Sequence, residues 1–156
     1  MILSEDYSDM LRALSDEKVE YLLIGAHAVA AHGIPRATGD MDFWVAPTPE
    51  NAAAVYRALI KYGAPVEQIT PRDFETEGTI YQIGVPPYRI DIITSVTGLE
   101  FASAYKAAIR TDYAGFDVLV PCIDDLIANK KATGRPKDLV DVEVLESRAG
   151  RDKSAD

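Results

Sequence analysis

The sequence predicts an α/β (α+β) protein with a mixed central β-sheet flanked by helices. Two observations support this fold class. Apolar, strand-like runs alternate along the chain with segments whose apolar residues recur at helical spacing. In addition, the strand-like runs at 79–83 and 88–94 are joined by Gly-Val-Pro-Pro, which predicts an antiparallel hairpin and therefore a sheet that is not purely parallel.

The first half of the chain predicts two helices and two strands. Ser4 is suited to cap a helix over 4–17, in which apolar residues recur at helical spacing. Residues 18–24 end in a continuous apolar run, which is typical of a strand buried on both faces. A short Ala-rich helix follows over 26–33, and residues 41–46 predict the second strand.

The second half continues the same alternation. Thr48 and Pro49 predict the start of a helix over 51–62, because a threonine cap followed by proline is a common helix beginning. Residues 71–75 predict a short helical turn. The remaining predicted elements, besides the hairpin, are a helix over 99–109, a strand over 116–121, and helices over 123–133 and 137–148.

Length and composition predict one domain in a reducing compartment. The 156 residues match a single domain, expected over 1–149, and the polar residues 150–156 predict a disordered tail. No apolar run reaches membrane-spanning length, and the acidic N-terminus lacks the basic start of a signal peptide. The single cysteine, Cys122, excludes an internal disulfide. We therefore expect a cytoplasmic protein that does not enter a membrane.

The net charge of −9 is unfavourable for non-specific binding of nucleic acid over a broad surface, because such binding needs many cations along one face. RNA stays open as a partner but is not favoured.

Three aspartates in strand-like segments predict a metal site. Asp40 and Asp42 are two residues apart, so a strand places both carboxylates on one face, and Asp91 lies inside the apolar run YRIDIIT. An ionised carboxylate loses its hydration in such a place, which is costly unless a cation lies nearby. Because the donors are oxygens, the expected ion is Mg²⁺ or Mn²⁺. The alternatives are a capping role for Asp40 and an ion pair of Asp42 with Arg36 or Arg89.

Gly25 and Ala26 lie between the first strand and the following helix. Backbone amides at such a place bind phosphate, and glycine allows close approach. A tight strand–helix connection without a ligand is the alternative. Next to a metal-binding strand, the turn predicts a site for a nucleoside triphosphate and its metal.

The run GAHAVAAHGIPRATGDMDFWV resembles the signature of the nucleotidyltransferase superfamily with the polymerase-beta-like fold. More narrowly, the chain resembles the small bacterial branch that contains the AbiEii-type toxins. The resemblance extends from about Val19 to Glu146 and includes the later segment GRPKDLVDVEVLE. The residues that match the loop pattern of this branch are His32, Gly33, Arg36, Thr38, Asp40 and Asp42.

The resemblance implies a role for each matched residue. Asp40 and Asp42 would bind metal, and Asp91 would hold one metal and orient or deprotonate the attacking hydroxyl. Gly25 would lie under the triphosphate. Ala26 departs from the family pattern, which has Gly or Ser at that position, and the loss of a hydroxyl or of space there puts nucleotide affinity in question.

Basic residues supply further candidate phosphate contacts. Arg36 precedes the metal strand, and the alternative for it is an ordinary surface arginine. Lys130 and Lys137 belong to the local basic cluster near the junction of the last two helices. They are candidates for triphosphate or acceptor binding, and the alternative is a solvated helix end in which cations favour the helix dipole.

Two functions follow as hypotheses. The first is a metal-dependent nucleotidyltransferase that moves a nucleoside monophosphate to a hydroxyl of a protein, an RNA end or a small molecule, in a toxin–antitoxin or defence setting. A protein partner or a homodimer would then supply the acceptor surface. The second is a catalytically weak module of the same fold that binds nucleotide or a partner. A purely structural domain would leave the three aspartates unexplained.

Overall fold

The computed structural model of the protein describes residues 1–154, which form helices and strands that alternate along the chain. The strands are β1 Tyr21–Ile24, β2 Met41–Val45, β3 Ile80–Ile83, β4 Ile90–Ile93, β5 Ile109–Tyr113 and β6 Phe116–Val120. The α-helices are α1 Glu5–Asp16, α2 Gly25–Ala31, α3 Pro49–Tyr62, α4 Phe101–Lys106, α5 Ile123–Thr133 and α6 Pro136–Ser154, with a 3-10 helix at Pro71–Glu75.

Four strands form one mixed sheet in the order β1-β2-β4-β3. The β1–β2 and β3–β4 pairs are antiparallel, whereas β2 and β4 run parallel. The parallel pair requires a crossover, which α3 and the 3-10 helix provide. The mixed central sheet flanked by helices, including the hairpin of β3 and β4, is thus confirmed.

The two faces of this sheet differ because side chains alternate along each strand. One face carries Leu23, Phe43 and Ile92, which belong to the main hydrophobic core together with α1 and α3. On the other face, Leu22 and Trp44 form a smaller cluster with residues of α4. Asp42 and Asp91 alternate with the main-core residues and therefore lie on this second face, beyond its apolar cluster.

One strand was missed by the sequence pattern. The predicted helix over 99–109 ends at Lys106, and residues 109–113 form β5 instead. This strand pairs with β6 in a separate two-stranded sheet. The connection is a tight turn in which Ala114 and Gly115 both have positive φ, 52° and 89°. Only one residue of β5, Tyr113, is buried, so its apolar pattern is weak.

The last helix, α6, is longer than its sequence pattern indicates. It continues to Ser154, so residues 150–154, which the sequence predicts as the start of a disordered tail, are helical. Residues 155 and 156 of that predicted tail lie outside the described residues. Within residues 1–154, every helix lacks the combination of length and apolar character that crossing a membrane requires.

Candidate functional site

The parallel pairing of β2 and β4 places two of the predicted carboxylates side by side. Asp42 is the register partner of Asp91. Asp40 immediately precedes β2, and Arg89 immediately precedes β4. Because these four residues alternate with core residues on their two strands, they share one face of the sheet. We call Asp40, Asp42 and Asp91 the carboxylate cluster; the sequence predicted its members, and the sheet register brings them together.

Asp42 is the carboxyl group of the cluster with the most perturbed acidity. Burial, the neighbouring charges of Asp91 and Asp40, and a hydrogen bond with Asp91 raise the pKa of Asp42 to about 7. Arg89 opposes this shift without cancelling it. A carboxyl group that holds its proton near neutral pH indicates a deficit of positive charge at this point of the cluster.

Arg89 connects the other two carboxylates. Its Nη2 atom lies 2.9 Å from Asp40 Oδ2, and its Nε atom donates to Asp91 Oδ1 at 2.9 Å. A second hydrogen bond, from Nη2 to Asp91 Oδ2 at 3.3 Å, makes the contact with Asp91 bidentate. From the sequence alone, Arg89 is a candidate ion-pair partner of Asp42. Arg89 and Asp91 are two residues apart on one strand, and that spacing was the signal for their shared face.

Gly25 forms the wall of the cluster opposite β4. It is the first residue of α2 and adopts a φ of 73°, a left-handed conformation that side chains disfavour. A β-carbon on Gly25 would lie 2.7 Å from Asp42 Oδ2. The glycine is therefore needed for both its conformation and its close approach to Asp42. Ala26, the next residue, lies in the first turn of the helix.

A buried hydrogen-bond network holds the backbone beside Asp40. The Tyr7 hydroxyl donates to the carbonyl oxygens of Gly39, at 2.9 Å, and Pro87, at 3.1 Å. Burial and the charges of Asp40 and Asp42 raise the pKa of Tyr7 to about 12, so the hydroxyl keeps its proton. Both backbone segments that lead into the cluster are thereby tied to α1. Helical spacing in the sequence predicted a buried face for Tyr7 but not these partners.

His27 supports the same segment from α2. Its Nε2 atom lies 3.1 Å from the Gly39 carbonyl oxygen and its Nδ1 atom 2.6 Å from the Tyr113 hydroxyl. Burial lowers the pKa of His27, which favours the neutral ring. Because a carbonyl oxygen only accepts, Nε2 donates to Gly39 and Nδ1 accepts from Tyr113. The histidine therefore has a packing and positioning role beside the cluster.

The basic candidates lie in a second cluster built around α5 and α6. Arg36 Nη2 donates to Asp141 Oδ2 at 3.3 Å, and Lys130 Nζ lies 3.1 Å from the same atom. Lys130 also lies 3.7 Å from Asp138 Oδ1. The structure thus gives Arg36 and Lys130 carboxylate partners from α6, while the Lys137 side chain is exposed on the first turn of that helix.

Asp138 is the centre of this second cluster. Its carboxylate accepts hydrogen bonds from the Arg135 guanidinium at 2.7 Å, the Thr133 hydroxyl at 2.8 Å and the Arg135 backbone at 3.2 Å. Burial alone would raise the pKa of Asp138, but these hydrogen bonds outweigh it and lower the pKa to about 2. The cluster joins the end of α5 to the start of α6, which is a structural role.

The donor set of the carboxylate cluster suits a hard divalent cation, since all its ligands are oxygens. Within residues 1–154, no group of three or more His, Cys, Asp or Glu side chains is arranged to hold a metal ion. Asp40 and Asp91 face Arg89 instead. The residues fit Mg²⁺ or Mn²⁺ by their chemistry, provided that Arg89 releases them.

A separate groove of about 520 Å³ lies at the opposite end of β1. Its lining includes Tyr21 of β1, Arg12 of α1, Tyr105 of α4 and Phe116 of β6, and none of the three cluster carboxylates. Tyr21 pairs with Val45, at the far end of β2 from Asp42. The groove is therefore distinct from the carboxylate cluster.

Comparison with known proteins bears on the fold of the chain. No protein-family model matches the sequence, and no curated protein matches it. Among solved structures, a Thermotoga maritima protein described as a "putative nucleotidyltransferase (TM1012)" is similar, with a TM-score of 0.60 and 16% sequence identity. The similarity covers 97% of this chain and 96% of that one. The chain has the nucleotidyltransferase fold. At this identity the likeness shows the fold alone.

Proposed function

We propose that the protein is a metal-dependent nucleotidyltransferase, which moves a nucleoside monophosphate from a nucleoside triphosphate to a hydroxyl acceptor. The observation that carries the proposal is the register pairing of Asp42 with Asp91, next to Gly25. Two carboxylates on adjacent parallel strands, one with a pKa raised to about 7, favour a site made for a cation. The shared fold with the Thermotoga protein supports the same enzyme class.

In the proposed site, Asp40, Asp42 and Asp91 would hold Mg²⁺ or Mn²⁺. When bound, such ions stabilise charge on the attacking oxygen and on the pyrophosphate leaving group. Asp91 orients the acceptor hydroxyl and takes its proton as the oxygen bonds to the α-phosphorus and the bond to pyrophosphate breaks. Gly25 and Ala26 place backbone amides beside the triphosphate. Arg36, Lys130 and Lys137 are proposed as further nucleotide contacts.

The two ion-paired members of that basic set need a change of partner to fill this role. Arg36 and Lys130 are engaged by Asp141. The Lys137 side chain is exposed, so a contact with a ligand would not require it to leave Asp141 as Arg36 and Lys130 must. We therefore rank Lys137 first among the three as a contact for the triphosphate or the acceptor.

The acceptor is proposed as a protein side chain, a small molecule or an RNA end, with RNA disfavoured by the net charge of −9. The motif resemblance to the AbiEii-type branch favours a toxin–antitoxin or defence setting. A partner protein or a second copy of the chain would supply the acceptor-binding surface.

A second candidate function is a nucleotide- or partner-binding module with little turnover. Two observations favour it. Ala26 replaces the usual Gly or Ser, and Arg89 engages two of the three carboxylates that a catalytic metal would need.

Titration calorimetry with Mg–ATP tests the site, and incubation of the protein with each α-labelled triphosphate and cell extract tests transfer. We expect Asp42→Asn to weaken Mg–ATP binding by roughly 100-fold or more, because even residues that only support a metal ligand contribute about 10- to 100-fold. Asp117→Asn is the matched control, since Asp117 is an exposed carboxylate in β6.

The outcomes separate the candidates. Labelled product that is lost in Asp42→Asn and kept in Asp117→Asn supports the enzyme. Nucleotide binding without product in any extract favours the binding module. No binding of Mg–ATP at millimolar concentration contradicts the enzyme and a nucleotide-binding module, and it leaves a partner-binding module as the candidate.

A further inference from the structure

We infer that Arg89 is the resident counter-cation of the carboxylate cluster and competes directly with a divalent metal for Asp40 and Asp91. The inference rests on the proposed function, since it assumes that this cluster is the metal site. It assigns Arg89 a positioning role: in the metal-free protein the guanidinium holds the carboxylates in place, and metal binding requires its departure.

The contacts of Arg89 carry the inference. One guanidinium reaches carboxylates from two strands, at 2.9 Å for Asp40 and at 2.9 and 3.3 Å for Asp91. A metal ion between Asp40 and Asp91 would draw on the same two carboxylates, of which Arg89 engages both oxygens of Asp91 and Oδ2 of Asp40. Arginine and metal therefore cannot both engage these two residues fully.

The third carboxylate of the cluster lies beside the two that Arg89 engages. Asp42, which has Asp91 as its register partner, lies in the same cluster. Movement of the Arg89 side chain alone would release Asp40 and Asp91 to bind a metal ion together with Asp42.

The backbone around Arg89 is anchored, so only its side chain has to move. The Arg89 carbonyl oxygen accepts a hydrogen bond from the Met41 amide at 3.0 Å. The Tyr7 hydroxyl ties the nearby Pro87 and Gly39 carbonyls to α1. The Arg89 side chain is 30% exposed, which gives it a way out toward solvent. Its long stem and permanent charge suit a group that exchanges one anionic partner for another.

The test measures Mn²⁺ affinity without nucleotide, by electron paramagnetic resonance and titration calorimetry. Arg89→Gln keeps a polar side chain but removes the charge, so we expect Mn²⁺ to bind about tenfold more tightly than to the wild type, as expected for the loss of a close competing cation. Arg89→Lys keeps the charge but loses the bidentate fork, and we expect about threefold tighter binding.

Arg110→Gln is the matched control. It removes the same charge from an exposed ion pair with Asp117 in the β5–β6 hairpin, outside the cluster. Exposed charges at a distance are screened by salt, so the Mn²⁺ affinity of this variant should stay within about twofold of the wild type.

A second readout is the melting temperature with and without Mn²⁺. If Arg89 competes with metal, Mn²⁺ raises the melting temperature of Arg89→Gln by more than it raises that of the wild type. If Arg89 only braces the fold, the variant melts lower by the same amount in both conditions, and the inference is overturned.

The affinity results also separate this inference from the proposed function. If the wild type binds Mn²⁺ and Arg89→Gln binds it no more tightly than Arg110→Gln does, the inference fails and the metal site stands. If neither the wild type nor Arg89→Gln binds Mn²⁺, the metal site itself is refuted. Should Arg89→Gln not fold, Arg89→Lys decides: affinity equal to that of the wild type overturns the competition.

Discussion

Gly25 and Asp42 are in such close contact that a side chain at position 25 would displace the Asp42 carboxylate. A β-carbon there would stand 2.7 Å from the Asp42 carboxylate oxygen. The first turn of α2 and the first residues of β2 are therefore matched in shape, and the carboxylate is held between this turn and β4.

This contact predicts the effect of Gly25→Ala. The substitution strains a backbone with φ of 73° and pushes Asp42 away, so we expect a loss of roughly 1–3 kcal/mol of unfolding free energy and weaker Mn²⁺ binding. Gly115→Ala is the matched control, because Gly115 has φ of 89° with nothing within 4 Å of an added β-carbon. Urea unfolding measures the loss of stability in each variant, and Mn²⁺ titration measures the change in metal affinity. Equal metal affinity in the two variants would contradict the close-contact account.

The raised pKa of Asp42 predicts how stability depends on pH in the absence of metal. The carboxyl holds its proton up to about pH 7 in the folded protein but only to about 3.8 in the unfolded chain. Between these values the folded state binds more protons, so the unfolding free energy contributed by Asp42 decreases as pH rises. Urea unfolding in EDTA should show this decrease in the wild type relative to Asp42→Asn. Parallel pH profiles of the two proteins would refute it.

Tyr7→Phe tests the network beside Asp40. Removing the hydroxyl leaves the Pro87 carbonyl without this donor, while Gly39 retains His27, so we expect a loss of about 1–2 kcal/mol. Tyr88→Phe serves as control because the Tyr88 side chain is mostly exposed, and it should be nearly neutral. The measurement is urea unfolding of both variants. Similar losses in the two would argue against a specific role for the Tyr7 hydroxyl.

Asp138→Ala tests the structural role of the second cluster. It removes the acceptor of the Thr133 hydroxyl and the Arg135 amide and guanidinium, while Lys130 keeps Asp141, so we expect a loss of about 1–3 kcal/mol. Asp117→Ala removes an exposed ion pair and should cost less than about 1 kcal/mol. Unfolding in guanidinium chloride gives the free energy of unfolding of each variant for this comparison. Because Asp138 has a pKa near 2, its contribution is present above about pH 4 and is lost as pH falls toward 2.

The sequence predicted local structure best at positions where a residue type favours one particular place in a helix, such as its first or last residue. Ser4 and Thr48 cap α1 and α3, as predicted, and Gly63 ends α3 in a left-handed conformation. The alternation of apolar and polar residues predicted that Asp42 and Asp91 occupy strands. These features depend on neighbours in the chain, which the sequence displays directly.

Features that depend on distant residues were not predictable in the same way. Arg89 was weighed as a partner for Asp42, but its actual partners follow from the register of β2 with β4. The Tyr7 hydroxyl reaches a carbonyl 80 residues away in the chain. Strand β5 was missed because it is largely exposed and has little apolar alternation.

The parallel pairing of β2 with β4 has a consequence for folding. Asp42 and Asp91 are joined through α3, the 3-10 helix and β3, so they meet only after this long crossover has closed. Contacts so distant in sequence form late and slowly compared with local ones. A cation that needs both carboxylates would therefore bind the completed sheet and not its precursors, and metal-dependent protection from unfolding would report when the crossover is in place.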